Sequence, residues 1–280
     1  MLLETAPGPF SHSDFIYEPK VDGHRLIYSQ QSGSIRLYTR HNNECSLQYP
    51  ELLLPFKDDV ILDGEVACAD PETGLNDFEA IMSRFSTKQH SKIKQLTNSL
   101  PVTYAIFDIL QYKGKDLRRL PLMERKAILN GLSLPSSSFG IVPYIEGAGE
   151  ELYAQIEAMG MEGVVGKRKD SQYVSRRSKD WVKVINWSFA DVYISGYKKD
   201  AFGWLASVPD AFGRFRPAGV IEHGPSPKHK QAFRGVCQQL VIGEDKNNVY
   251  LEPRIKARVK MRNWTKSGML RIPVFLDFVV

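Results

Sequence analysis

The sequence predicts an α+β protein of two domains, residues 1–188 and 189–280. Three observations lead there. Short β-rich apolar segments with turn residues between them dominate the first half. Helical spacing is confined to a few stretches. The character then changes near residues 186–190, after which short strands follow one another. A chain of 280 residues is long enough for two modest domains with cores of their own.

In chain order, residues 15–17, 26–28 and 35–39 read as strands. The last two flank Gln31-Ser32-Gly33, a hairpin signal. Residues 60–62, 66–68, 103–107 and 164–167 read as further strands, and 123–129 and 150–159 as helices. Residues 191–197 open the second run of strands. Within that run Ser226-Pro227 combines an N-cap residue with proline at the first helical position. Ala232, Phe233, Val236 and Leu240 then recur at helical spacing, and residues 249–259 and 272–279 close the chain as strands. There is no internal repeat, no low-complexity tract and no long linker at the boundary.

The apolar fraction, 42%, is ordinary for a soluble globular protein. No apolar run reaches bilayer length, and residues 1–10 lack the regions of a signal peptide. A cytoplasmic, nucleoid-associated protein without a membrane partner is expected. Cys45, Cys68 and Cys237 are widely spaced and form no CxxC pair, so reduced, buried thiols are expected rather than a disulfide framework or zinc site.

The formal charge is +5 and the pI about 8.9, which suits a polyanionic partner. Its placement says more. Lys167, Arg168, Lys169, Arg176, Arg177 and Lys179 crowd one stretch. Arg254, Lys256, Arg258, Lys260 and Arg262 fall at every second position, which in a strand is one face.

The chemistry is carried by ordered motifs. Lys20-Val21-Asp22-Gly23-His24-Arg25 is a KxDGxR pattern. Leu62-Asp63-Gly64-Glu65 follows, then Tyr104-Ala105-Ile106-Phe107-Asp108, Glu162-Gly163-Val164-Val165-Gly166-Lys167 and Trp181-Val182-Lys183. In this order the set resembles the covalent nucleotidyltransferases: DNA ligases, RNA ligases and mRNA capping enzymes. Leu251-Glu252-Pro253 and residues 264–275 (WTKSGMLRIPVF) resemble the C-terminal end of bacterial ATP-dependent DNA ligases, in particular the ligase domains of end-joining ligases and their small stand-alone, prophage-type relatives. The resemblance implies an ATP-grasp-like nucleotidyltransferase domain with antiparallel sheets and flanking helices, followed by a small OB-fold β-barrel.

It also implies a reaction. ATP adenylylates a lysine, the AMP passes to a 5′-phosphate at a nick in duplex DNA, and the 3′-hydroxyl displaces it. Lys20 is the implied nucleophile. An amine attacks only when deprotonated, and a metal ion with basic neighbours is expected to favour that form. Gly23 is expected to let the backbone turn closely beside the nucleotide. Arg25 is implied at the sugar and the nicked strand, Arg40 near a phosphate, and Glu18 at the adenine edge. Glu65 faces the ribose or a metal and Glu162 a metal, as hard oxygen ligands suited to Mg²⁺ or Mn²⁺. Asp22 supports the metal or the structure. Phe107, otherwise a strand-end core residue, is implied to stack on adenine. Lys167 and Lys183 would hold the α-phosphate.

Two departures stand out. The family's fifth motif has a second lysine where this chain has Ile185, for which Arg177 or Lys179 could substitute; Arg176, Arg177 and Lys179 are candidate DNA or phosphate contacts. The sixth motif keeps Arg271-Ile272-Pro273, with Arg271 implied to orient pyrophosphate, but lacks the usual terminal lysine. With no large N-terminal DNA-binding domain expected, grip on DNA falls to the two domains and should be salt-sensitive. The second domain is expected to swing between ATP and DNA. Nicked double-stranded DNA is the implied partner of a monomer, and a Ku-type end-binding protein a further one. The implied role is repair, recombination or replication. The same motifs serve an RNA ligase or a GTP-using capping enzyme. A different class is a non-catalytic OB-type nucleic-acid-binding protein that retains a dead transferase domain.

Overall fold

A computed structural model describes residues 1–279. The chain divides into two compact units, Met1–Asn186 and Trp187–Val280. The division falls two residues before the one drawn from sequence. Asn186 still belongs to the first unit because its N–H donates to the Glu162 carbonyl at 3.0 Å and its side chain to the Met161 carbonyl at 3.1 Å. Val280, the last residue of the sequence-drawn second domain, lies outside the described residues.

Two sheets build the first unit. One runs Ser34–Thr39, His24–Gln31, Val60–Ala67, Thr103–Tyr112, Lys115–Asp116, with Phe139–Ile141 parallel beside Thr103–Tyr112. Its hairpin turns at Ser32 and Gly33, with φ of 51° and 78°, the two left-handed residues that a tight two-residue turn requires. The predicted strands at 60–62 and 66–68 are one strand, because the polar run Asp63-Gly64-Glu65 stays in the ladder with a register shift instead of ending it. The second sheet runs Leu2–Thr5, Arg177–Ile185, Gly163–Arg168, Phe15–Pro19, Ile145–Glu146. The predicted helices occupy Leu122–Asn130 and Gly149–Ala158. Helices Phe78–Ser86, capped by the Asp77 side chain, and His90–Ser99 also form. An aromatic core of Tyr28, Phe56, Tyr104 and Phe139 packs edge-to-face beneath the first sheet.

The second unit is antiparallel: Phe215–Ile221, Trp204–Pro209, Ser188–Lys198, Asn248–Met261, Val241–Glu244, with Val274–Phe278 also on Asn248–Met261. The sheet curls back on itself: Leu270 N–H donates to the Ala218 carbonyl of Phe215–Ile221 at 2.7 Å, and Phe275 N–H of the last strand donates to the His223 carbonyl, just beyond that strand, at 2.9 Å. Helix Pro227–Cys237 begins in a capping box between Ser226 and His229. The final strand starts at Val274, not 272, since Ile272 has φ of 52°. On Asn248–Met261 the basic residues do alternate with buried Ala257, Val259 and Met261. Lys260 and Arg262 lie over the Trp187 ring at 4.9 and 5.0 Å. All three cysteines are free and buried. Among the described residues no helix is long and apolar enough to cross a membrane.

Candidate active site

The site begins where strand Phe15–Pro19 ends. Lys20 N–H donates to the Gly163 carbonyl at 2.8 Å, which continues the sheet by one bond and fixes where the lysine side chain departs. Its Nζ lies 2.7 Å from Glu162 Oε2, with side chains only 18% and 7% exposed. The chain then crosses to the other sheet through Asp22 and Gly23. A Cβ on Gly23 would stand 2.1 Å from the Val66 carbonyl oxygen. The expected close approach is therefore real, but it is to the neighbouring strand's backbone.

A cavity of about 490 Å³, counting its open mouth, sits beside Lys20. Lys20, Glu18, Arg25, Glu65, Lys167 and Phe107 all line it, with Val165 and Trp181 among its apolar walls. The sheet register explains much of this. Glu18, Val165 and Lys183 share one rung; Ile16, Lys167 and Trp181 share the next on the same face.

Arg25 is clamped. Its Nε donates to Asp63 Oδ1 at 2.9 Å, its Nη2 to Asp63 Oδ2 and, at 3.0 Å, to the Tyr173 hydroxyl, and its Nη1 to the Met1 carbonyl. Tyr173 in turn donates to Asp63 Oδ2 at 2.8 Å. Burial works against the Arg25 charge, but the Asp63 carboxylate outweighs it and holds the guanidinium ionised. The Arg25 carbon lies 5.5 Å from the Phe107 ring centre.

Glu65 pairs across the ladder with Arg25. Burial pushes its carboxyl up to about 8, with Glu162 raising it further and Lys20 and Arg25 opposing. Two carboxylates beside Lys20 fit a hard divalent ion that keeps waters and phosphate oxygens as its other ligands. Among the described residues no group of three or more His, Cys, Asp or Glu forms a closed cage.

Lys167 is buried, 2.6 Å from Glu18 Oε2 and 4.5 and 4.1 Å from the Phe107 and Trp181 ring centres. Burial pulls its ammonium down to about 8; Glu18 resists this and Lys126 reinforces it. Phe107 meets Trp181 edge-on, with centres 6.2 Å apart.

The remaining expected residues are dispersed. Arg40 is exposed on the turn after Ser34–Thr39 with its Nε on His41 Nε2 at 3.0 Å, and it does not line the cavity. Lys183 is half-buried on the Glu18 rung but also does not line it. Ile185 is 5% exposed opposite Gly163, so an apolar side chain fills the place of the second lysine. Arg176, Arg177 and Lys179 are exposed, and Arg177 donates to the Leu3 carbonyl. Arg271 lies in the second unit, half-buried. Sequence reasoning missed Asp63, Lys126 and Tyr173. Asp63 had a signal, as the acid before Gly64-Glu65 in a recognised motif; the other two had none.

Comparison with known proteins agrees with this geometry. Residues 3–184 match the family described as ATP dependent DNA ligase domain. The chain is 37% identical to the SPbeta prophage-derived DNA ligase-like protein LigB of Bacillus subtilis, over 98% of this chain and 96% of that protein. It is 28% identical to the bifunctional non-homologous end joining protein LigD of the same organism, over 95% of this chain but only 46% of that protein. The fold is similar to that of a mycobacterial DNA ligase D complexed with ATP and MES, with a TM-score of 0.56, 24% identity, and coverage of 99% of this chain and 93% of that one. It is also similar to that of a Lig E DNA ligase, with a TM-score of 0.68 at 19% identity over the whole of both chains. The lysine at the mouth of the cavity, its carboxylate partner and the ordered motifs around them thus lie inside a matched catalytic domain, and the chain belongs to the family of ATP-dependent DNA ligases.

Proposed function

We propose that this chain seals nicks in duplex DNA through a lysyl-AMP carried on Lys20. The observation that carries the reading is the Lys20 amine, 2.7 Å from Glu162 and opening onto a largely apolar cavity with a charged wall. Lys20 attacks the α-phosphorus of ATP, an N–P bond forms, and the bond to pyrophosphate breaks. Glu162 is within hydrogen-bond reach to take the proton the amine must lose. AMP then passes to the 5′-phosphate, and the 3′-hydroxyl displaces it with a new O–P bond.

The other residues orient and bind. Phe107, Val165 and Trp181 offer apolar surface for the base, and Glu18 an acceptor at its edge. Arg25, fixed by Asp63 and Tyr173, is pre-organised for the sugar and the nicked strand. Lys167 and Lys183 carry positive charge near the α-phosphate, and Arg271 and Arg40 serve the outer phosphates. Glu65 and Glu162 would hold Mg²⁺ or Mn²⁺, which when bound draws charge from phosphate oxygens.

The unit Met1–Asn186 is read as the adenylation domain and Trp187–Val280 as an OB-type domain. A curled antiparallel sheet with a helix between strands supports the second assignment. The exposed Arg176, Arg177 and Lys179 and the basic face of Asn248–Met261 supply DNA contacts. The names of the relatives, a DNA ligase-like protein and a non-homologous end joining protein, support repair or end joining; a Ku-type partner and a cytoplasmic, nucleoid-associated monomer are part of the same reading.

The test is sealing of a nicked duplex with ATP, beside a nicked RNA duplex and beside GTP. Closure of the DNA nick with ATP alone supports the reading. Preference for the RNA nick, or for GTP, replaces it with an RNA ligase or a capping-type enzyme.

A further inference from the structure

The cavity has a charged wall in which one residue belongs to none of the recognised motifs. Glu18 directs Oε2 to Lys167 Nζ at 2.6 Å and Oε1 to Lys126 Nζ, and the three side chains are 3% exposed or less. Lys126 arrives from helix Leu122–Asn130, whose first turn is tied to the sheet by the Met123 N–H on the Lys169 carbonyl at 3.1 Å. Glu18 and Lys167 line the cavity; Lys126 stands behind them. Among the described residues the Lys126 ammonium has no hydrogen-bond partner beyond this ion pair, and the Tyr144 ring is 5.6 Å away. A buried ammonium is costly to desolvate. This one is directed at a single carboxylate oxygen.

We propose that Lys126 is a positioning residue for base recognition: it fixes the Glu18 carboxyl oxygens as acceptors at the edge of an apolar slot, and so selects a purine with an amino group at its 6-position over one with a carbonyl there. This rests on the reading that the cavity takes ATP. The apolar walls of the slot, Leu3, Phe107, Val142, Val165 and Trp181, accept any purine face. Discrimination must therefore come from the polar edge. A carboxylate accepts an N–H and repels a C=O, and a site built to accept a hydrogen bond rejects a ligand that cannot donate one. With Lys167 alone, one oxygen is held and the terminal torsion, broad for a glutamate, is free to turn. The second ammonium removes that freedom.

The experiment uses the full chain and follows lysyl-nucleotide formation with labelled ATP and labelled GTP for wild type, Lys126→Met, Lys126→Arg and Glu18→Gln. Lys126→Met is expected to raise KM for ATP about 10-fold with kcat little changed, and to lower the ATP-over-GTP ratio of kcat/KM about 10-fold or more. Lys126→Arg restores most of the ratio, and Glu18→Gln, whose amide can also donate, loses it. A Lys126→Met protein that melts like wild type yet keeps both KM and ratio overturns the proposal, as does one that loses ATP and GTP use equally through kcat. Should Lys126→Met fail to fold, Glu18→Gln decides: an unchanged ratio overturns the proposal and a lost ratio sustains it. A wild-type protein that takes label from neither nucleotide overturns the ligase reading itself, which is a separate result.

Discussion

Lys20 and Glu162 stand 142 positions apart in sequence, and their charged atoms meet at 2.7 Å. The contact is made by strand pairing. Gly163–Arg168 lies against Phe15–Pro19, so the residue just before one strand meets the residue just after the other. The lysine and its carboxylate partner are thus held in place by backbone hydrogen bonds.

On the proposed reading, Glu162 takes the proton that Lys20 loses. Glu162→Gln is expected to slow lysyl-AMP formation about 10²-fold or more, since a general base contributes on that order. Circular dichroism should show an unaltered fold. A variant that labels at the wild-type rate contradicts the role.

Asp63 is expected to matter for stability as well as activity. Its side chain is fully buried and holds Arg25, 16% exposed, through two oxygens. Asp63→Ala leaves a buried guanidinium without its counterion, a loss of about 3 kcal/mol or more. Urea unfolding measures it, and a change below about 1 kcal/mol would refute the clamp.

Lys167 gives a pH signature. Its ammonium is depressed from 10.5 to about 8 by burial. Between those values the unfolded chain binds a proton that the folded protein does not, so stability rises with pH. The contribution is fully present above 10.5 and is lost as pH falls through about 8. Relative to Lys167→Met, the wild type should therefore gain on the order of 2–3 kcal/mol between pH 7 and pH 10.5. Parallel curves for the two proteins would show that burial does not depress this group.

The basic strand face predicts salt sensitivity. Lys260 and Arg262, both over Trp187, lie on one face of the second unit. Replacing both with alanine should lower the slope of log affinity for nicked DNA against log salt by about 2. Fluorescence anisotropy across a salt series reads this, and an unchanged slope assigns the DNA contacts elsewhere.

Much of the fold was legible where pattern and turn chemistry agree. The hairpin at Ser32-Gly33, the capped start at Ser226-Pro227 and the alternating basic residues of Asn248–Met261 are local signals, and each appears in the structure. Helix His90–Ser99 was not legible, because it buries only Ile93 and its remaining face is polar. Leu2–Thr5 was missed because its partner, Arg177–Ile185, lies more than 170 residues away and pairs in parallel. In the site, Lys20, Glu65 and Phe107 stood in motifs, Glu18 two residues before the first of them, and all four line one cavity. Lys126 and Tyr173 did not show, since a buried ion pair or hydroxyl bridge is a tertiary relationship with no sequence period. Lys167 was read as an α-phosphate ligand, and its pairing with Glu18 had no sequence signal. Its rung, shared with Ile16 and Trp181, turns it inward to Glu18.

The central claim is that Lys20 carries AMP to a nick, and it is tested by incubating the purified chain with α-labelled ATP and Mg²⁺ or Mn²⁺, then adding nicked duplex DNA. The prediction is that wild type becomes labelled, Lys20→Ala does not, and the label leaves the protein as the nick closes. Label that stays absent from wild type with either metal, or that appears equally on Lys20→Ala, would contradict it.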